Sequence, residues 1–289
     1  MKIFLTLITI LTLNSFCFSQ EREIKGKIVD IQSNLPLPYV NIGIANKGVG
    51  TVSNDNGAFI LKLNENIKMN DSVIFSYLGY TTQKIKVAEL NSKINNILLE
   101  PEINALKEVV IVKTKTPKLK KIGRTSKGFG LMHANFYTYY EKDVDDRLSK
   151  EIGMQLEIKK NCQINSLNFN ITSNDFKKLK FRVNFYKIKN GLPDELIVNQ
   201  NIIFEIDNEF LGWFTVDLKP YDIYFESDTG DIVVTIQWVE SEKANSKSKY
   251  FAISTAVSPL NTAFFREKAM DVWTKSNQSL SFYLDAMCN

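Results

Sequence analysis

The sequence predicts an all-β protein made of two β-sandwiches, a small one followed by a larger, jelly-roll-like one. Three observations carry this. Short runs of alternating apolar and polar residues recur along the chain, the period of a strand with one buried face. Turn residues separate them, as in Asn54-Asp55-Asn56-Gly57, Asn190-Gly191, Pro193-Asp194, Lys219-Pro220 and Asp228-Thr229-Gly230-Asp231. The 289 residues are enough for two domains once a leader is set aside. Composition is that of a soluble globular protein, 44% hydrophobic and 24% charged. A net charge of +4, evenly spread, argues against a nucleic-acid partner. The single histidine, His133, excludes a histidine-rich metal site within one chain.

Residues 1–19 read as a secretory signal peptide. Met1-Lys2 is a short positive start, Ile3 to Leu13 is apolar, and Cys17 and Ser19 supply small residues for cleavage. The apolar run is short for a membrane span. Phe16 before Cys17 is wrong for a lipid anchor, which takes a small residue there. The mature chain is therefore expected to be soluble, in a periplasm or outside the cell.

Residues 20–112 form the expected first domain. Glu23 to Asp30 alternates as a strand, and Pro36 and Pro38 interrupt any ladder. Tyr39 to Ala45 resumes, and Ala58 to Leu63 places Phe59, Leu61 and Leu63 on one face. Val73 to Tyr77, Thr81 to Val87 and Asn96 to Leu99 complete a set of about seven short strands. Asn54-Asp55-Asn56-Gly57 is read as a hairpin turn, because the carboxylate spacing of an EF-hand is missing. Ser76-Tyr77-Leu78-Gly79-Tyr80 is read as packing rather than as an aromatic platform.

Several motifs in order then resemble a known family: Ile24 to Asp30, Pro36-Leu37-Pro38-Tyr39-Val40-Asn41-Ile42, Gly50 to Asn54 with Gly57 and Phe59, and Asp71 to Tyr80. Over about residues 22–112 the chain resembles the carboxypeptidase regulatory-like domain family. The resemblance implies a transthyretin-like sandwich without catalytic activity. Such domains accompany secreted carboxypeptidases and stand at the N-terminus of TonB-dependent outer-membrane receptors. In those receptors a segment similar to Leu106 to Val112 forms or precedes the strand held by the energy-coupling protein. Here the run is read first as the last strand of the domain, with a pairing strand for a partner as the alternative. The chain is too short for the plug and barrel that follow in a receptor.

Residues 113–127 hold seven basic residues and no acidic one, with Pro117 and Gly123 as breakers. They are read as a solvated linker, with contact to anionic lipid phosphate as the functional alternative. Residues 128–289 form the expected second sandwich. Leu167, Phe169 and Ile171 alternate with Ser166, Asn168 and Asn170, and Phe181, Val183 and Phe185 alternate with Arg182, Asn184 and Tyr186. Further runs follow up to Phe282 to Met287. This part resembles galactose-binding-like jelly rolls at fold level only, so no binding residue is carried across.

Candidate sites come from aromatic residues, because sugar rings offer flat apolar faces. Trp273, Tyr137, Tyr139 and Tyr140 are the ligand-binding candidates; Trp213 and Trp238 lie in strands, where core packing is expected. The acidic run with Asp143, Asp145 and Asp146 is read as a solvated face. No elbow motif flanks His133, and no catalytic or metal-binding residue is assigned. Cys162 and Cys288 point to one disulfide in an oxidising compartment. The expected protein is a non-catalytic cell-envelope protein without a cofactor. It is not integral to the membrane, and it binds or assembles with an outer-membrane partner or a cell-surface glycan. Two other classes stand beside it: a glycan- or peptide-processing hydrolase using carboxylates of the second domain, and an accessory subunit of a TonB-linked importer.

Overall fold

The computed structural model describes residues 22–90, 94–102, 116–127, 132–137 and 147–289. The leader, the run Leu106 to Val112, the acidic run, Tyr139 and Tyr140 lie outside the described residues. The first sandwich contains β1 (Arg22–Asp30), β2 (Asn41–Ile44), β3 (Val49–Val52), β4 (Ala58–Leu63), β5 (Ser72–Ser76), β6 (Gln83–Lys86) and β7 (Ile94–Leu99). Its sheets run β4-β1-β7 and β3-β2-β5-β6, and β1 pairs with β7 in parallel. Alternation decides which residues go inside. Ile24 and Ile28 of β1, Phe59 and Leu61 of β4, and Val73 and Phe75 of β5 share one buried cluster. The turn before β4 needs Gly57, whose φ is +72°, where a side chain would be strained.

The second sandwich contains β8 (Lys118–Gly123), β9 (His133–Asn135), β10 (Glu151–Ile158), β11 (Cys162–Asn174), β12 (Phe176–Lys189), β13 (Leu192–Leu196), β14 (Ile202–Asp207) and β15 (Gly212–Asp217). After these come β16 (Tyr224–Phe225), β17 (Gly230–Lys243), β18 (Phe251–Val257), β19 (Ala263–Arg266), β20 (Thr274–Ser276), β21 (Gln278–Leu280) and β22 (Phe282–Cys288). One sheet of seven strands runs β13-β12-β17-β10-β19-β20, with β14 beside β12. The other, of eight, runs β21-β18-β11-β22-β8, with β15 and β16 beside β11 and β9 beside β18. Between them lies an aromatic core in which Phe136, Phe181, Trp238 and Phe251 are mutual neighbours. Cys162 and Cys288 are register partners on β11 and β22 and are joined by a disulfide.

Two elements differ from the sequence expectation. Lys118–Gly123, within the stretch read as a solvated linker, is an edge strand paired with β22. Lysine is depleted in strands but favoured on exposed edges, which is why this run hides its conformation. Pro193, read as a turn signal, sits in β13, an edge strand where the missing N–H is tolerated.

The first sandwich rests on the outer face of the seven-stranded sheet. Tyr39 and Val52 pack with Val239, and Leu148 and Ile203 flank them. The β2–β3 hairpin comes so close to the segment after β19 that a Cβ on Gly43 would stand 2.2 Å from the Ala269 carbonyl oxygen, and one on Gly50 2.6 Å. The Asn46 N–H donates to the Met270 carbonyl at 3.1 Å.

Candidate functional site

With one outer face of the second sandwich covered, the other is the outer face of the eight-stranded sheet. Strand registers lay out its side chains in rows. Asp217 of β15, Ser166 of β11, Asp285 of β22 and Lys121 of β8 form one row. Thr215, Asn168 and Tyr283 form the next, followed by Trp213 beside Asn170. The two carboxylates stand two strands apart, a separation of roughly 10 Å.

Most of these groups satisfy one another. Thr215 donates to Asn168 Oδ1 at 2.7 Å, and Asn168 Nδ2 donates to Ser166 Oγ at 3.0 Å and Asp285 Oδ2 at 3.1 Å. Two atoms are left over. Asn170 is only 4% exposed, yet its Nδ2 has no partner, and Asp285 Oδ1 has none either. An unpartnered buried donor costs about 1–3 kcal/mol; the two atoms lie two rows apart, roughly 13 Å along the strands, and neither reaches solvent. Aromatic surface lies beside them. Trp213 meets Tyr283 edge to face at 5.3 Å, and the Lys121 ammonium lies 4.8 Å from the Tyr283 ring centre. At the end of the same face His133 Nδ1 is 2.8 Å from Thr172 Oγ1.

The sequence candidates fall elsewhere. Trp273 is half-buried; it packs on Tyr186, with the Arg266 guanidinium 4.3 Å from its ring. Tyr137 packs against Tyr250, with Arg147 at 4.6 Å from its ring. No contact joins Tyr137 and Trp273. Trp238 is in the core as expected, whereas Trp213 stands half-buried on the outer face. The sequence trace of the site is the small polar row Ser166, Asn168, Asn170 opposite the core positions of β11.

A second polar cluster serves the opposite face. Glu151 is fully buried and accepts from Asn184 at 2.8 Å, from Tyr186 at 3.0 Å and from Thr235, and it pairs with Arg266 at 2.5 Å. Burial, reinforced by the Glu151 carboxylate, pushes the Tyr186 hydroxyl pKa far up, so it remains a donor. Burial opposes the charge of Arg266, but Glu151 outweighs it and the pKa is raised. Nearby, Arg182 donates to the Tyr39 carbonyl and to Asn201 at 2.8 Å, although burial lowers its pKa. Lys180 reaches Asp55 at 3.0 Å and Glu240 at 3.1 Å; burial works against its charge, but these partners raise its pKa. Tyr39 also donates to Asp55. This cluster is a docking surface between the sandwiches.

Among the described residues no group of histidine, cysteine, aspartate and glutamate side chains could hold a metal ion, and no helix is long and apolar enough to cross a membrane.

Comparison with known proteins places the first sandwich. A TonB-dependent receptor of Formosa agariphila is 32% identical over 107 residues, covering 36% of this chain and 10% of the receptor. The chain thus matches about a tenth of that relative's length. Among solved structures, a clostridial cysteine protease after propeptide cleavage aligns over 95% of this chain and 74% of its own, at 9% identity and a TM-score of 0.40. The major pilin subunit BcpA of Bacillus cereus aligns over 90% and 69%, at 11% identity and a TM-score of 0.20. Neither structural alignment reaches a score at which it bears on fold or function. The family model for the CarboxypepD_reg-like domain matches residues 24–111. That stretch, the first sandwich, is a carboxypeptidase regulatory-like domain.

Proposed function

We propose that this is a non-catalytic cell-envelope protein, periplasmic or associated with the outer membrane, that binds a glycan on the outer face of its eight-stranded sheet. The observation that carries the reading is the half-buried aromatic pair Trp213 and Tyr283 beside the polar row Ser166, Asn168 and Asn170. A sugar hydroxyl both donates and accepts, and the C–H face of a pyranose covers an aromatic ring. A flat sheet face of this kind suits holding a chain-like ligand rather than enclosing a reacting bond, which favours binding over hydrolysis. The envelope setting is supported by the likeness of the first sandwich to part of a TonB-dependent receptor. The regulatory-like domain occupies the opposite face, and among the described residues no further element covers this one, so an outer-membrane partner and a glycan would be engaged from opposite sides.

The test is a glycan array probed with the full chain, followed by affinity measurement for the best-retained glycan. Trp213→Ala is expected to weaken binding by about ten-fold or more, as for an aromatic anchor. Tyr283→Ala is expected to weaken binding as well, since Tyr283 forms the other half of the aromatic pair. Retention of no glycan, or affinity untouched by either change, refutes the reading.

A further inference from the structure

We propose that the free edge of β8 accepts an acidic, extended peptide segment as an added strand. This edge adjoins the proposed glycan face, which shares Lys121 with it. β8 ends the eight-stranded sheet: one side pairs with β22, and among the described residues no strand pairs with the other. An unpaired edge offers a row of backbone donors and acceptors to an incoming strand. Where β8 ends, the two sheets part around a groove of about 590 Å³ lined by Ile122, Gly123, Arg124, Leu156, Glu157 and Val257. The facing strand β10 is open there too. Its Glu151–Met154 half pairs with β19, and beyond it the Gln155 backbone N–H donates to the Thr262 carbonyl at 3.0 Å.

Charge selects the occupant. Lys118, Lys120 and Lys121 line the edge, Arg124 follows, and among the described residues none of the three lysines has an ion-pair partner. Edge lysines repel neutral aggregation and pairing between two copies, which would bring lysine near lysine. The same repulsion becomes attraction for a strand carrying alternate carboxylates, because opposite charges across strands are favourable. Leu119 is 60% exposed on this edge and offers an apolar neighbour for the intervening side chains.

The experiment uses the full chain and three labelled peptides matched to the six-residue edge: alternating glutamate and valine, alternating lysine and valine, and oligoglutamate. Fluorescence polarisation is expected to show binding of the first that weakens as salt rises, none of the second, and roughly ten-fold weaker binding of the third. Amide exchange at residues 118–123 should slow only with the first. The triple change Lys118→Gln, Lys120→Gln, Lys121→Gln should remove binding without moving the melting temperature. Equal binding of glutamate–valine peptide and oligoglutamate, or unchanged exchange at β8, overturns the proposal. So does edge protection by phosphatidylglycerol vesicles without protection by the peptide, which would assign the lysines to a lipid surface. A variant that fails to melt like the parent is replaced by Leu119→Pro, which removes an edge residue's donor and keeps the lysines; binding that survives it also overturns strand addition.

Discussion

Removing the Glu151 carboxylate should be among the most damaging single changes in the second sandwich. Glu151→Ala takes the anion from Arg266, whose side chain is 13% exposed, and leaves Asn184, Tyr186 and Thr235 without their shared acceptor. Breaking a buried pair by deleting one partner costs about 3–5 kcal/mol. The orphaned neutral donors would each add about 1–3 kcal/mol if they stayed dry, but the small side chain left behind admits water, so a total near 4 kcal/mol is expected. Glu151→Gln keeps one acceptor oxygen and loses the charge, which places it at roughly half that cost. Glu151→Leu combined with Arg266→Met should recover most of the loss, because exchanging a buried pair for apolar groups is often neutral. The assay is urea unfolding followed by tryptophan fluorescence, since Trp273 stacks on Arg266 and reports the site directly. A cost below about 1 kcal/mol for Glu151→Ala, or a double variant as unstable as the sum of its parts, refutes this account.

Reducing the Cys162–Cys288 bond, which closes a loop of 126 residues in sequence separation, should lower the stability of the second sandwich by about 2–5 kcal/mol. Unfolding curves of Cys162→Ser with and without reductant check this, and coincidence of all curves with the untreated parent would sink it. The Asp30–Tyr80 pair in the first sandwich should narrow its pH range from both ends. The Ser33 N–H and the Tyr80 hydroxyl lower the Asp30 pKa, so its stabilisation is complete above the ordinary value of 3.8 and is lost as pH falls through the lower folded value. Burial and the Asp30 bond push Tyr80 up to about 12, so its contribution is complete below 10 and disappears as pH rises toward 12. Tyr80→Phe should flatten the alkaline limb of a pH–melting profile, and an unaltered limb would contradict the pairing.

How much of this could be read beforehand depended on how local the cause was. The strands of the first sandwich and the Asn54–Gly57 turn are written in adjacent residues; Asn54 Oδ1 accepts from both Asn56 and Ala58 at 3.0 Å. The polar row of β11 was equally visible as alternation. Its meaning was not, because Trp213 and Tyr283 join Asn168 and Asn170 only through strand register. Trp273 shows the same limit in reverse. Its place between elements argued for exposure, but Arg266 and Tyr186, from two other strands, pack against it and leave it half-buried. Lys118–Gly123 misled for a different reason: a lysine-rich edge has the composition of a linker and the geometry of a strand.

Polar contacts on the docked face of the second sandwich give the arrangement a direction. There Gln237 donates to Asn41 at 2.8 Å and Asn201 to Tyr77 at 3.3 Å, while Arg182 and Lys180 bridge the sandwiches. Such matching adds little net stability but penalises any other orientation, since sliding would strand each group without a partner. Gly43 and Gly50 tighten the constraint at the backbone level, where no side chain could be fitted against Ala269. The regulatory-like domain is therefore held in a fixed orientation, not merely tethered. On the other face Asn170 Nδ2 and Asp285 Oδ1 lack partners, as Trp238 Nε1 does in the core. A partner that grips the first sandwich would thus present the second in one defined direction.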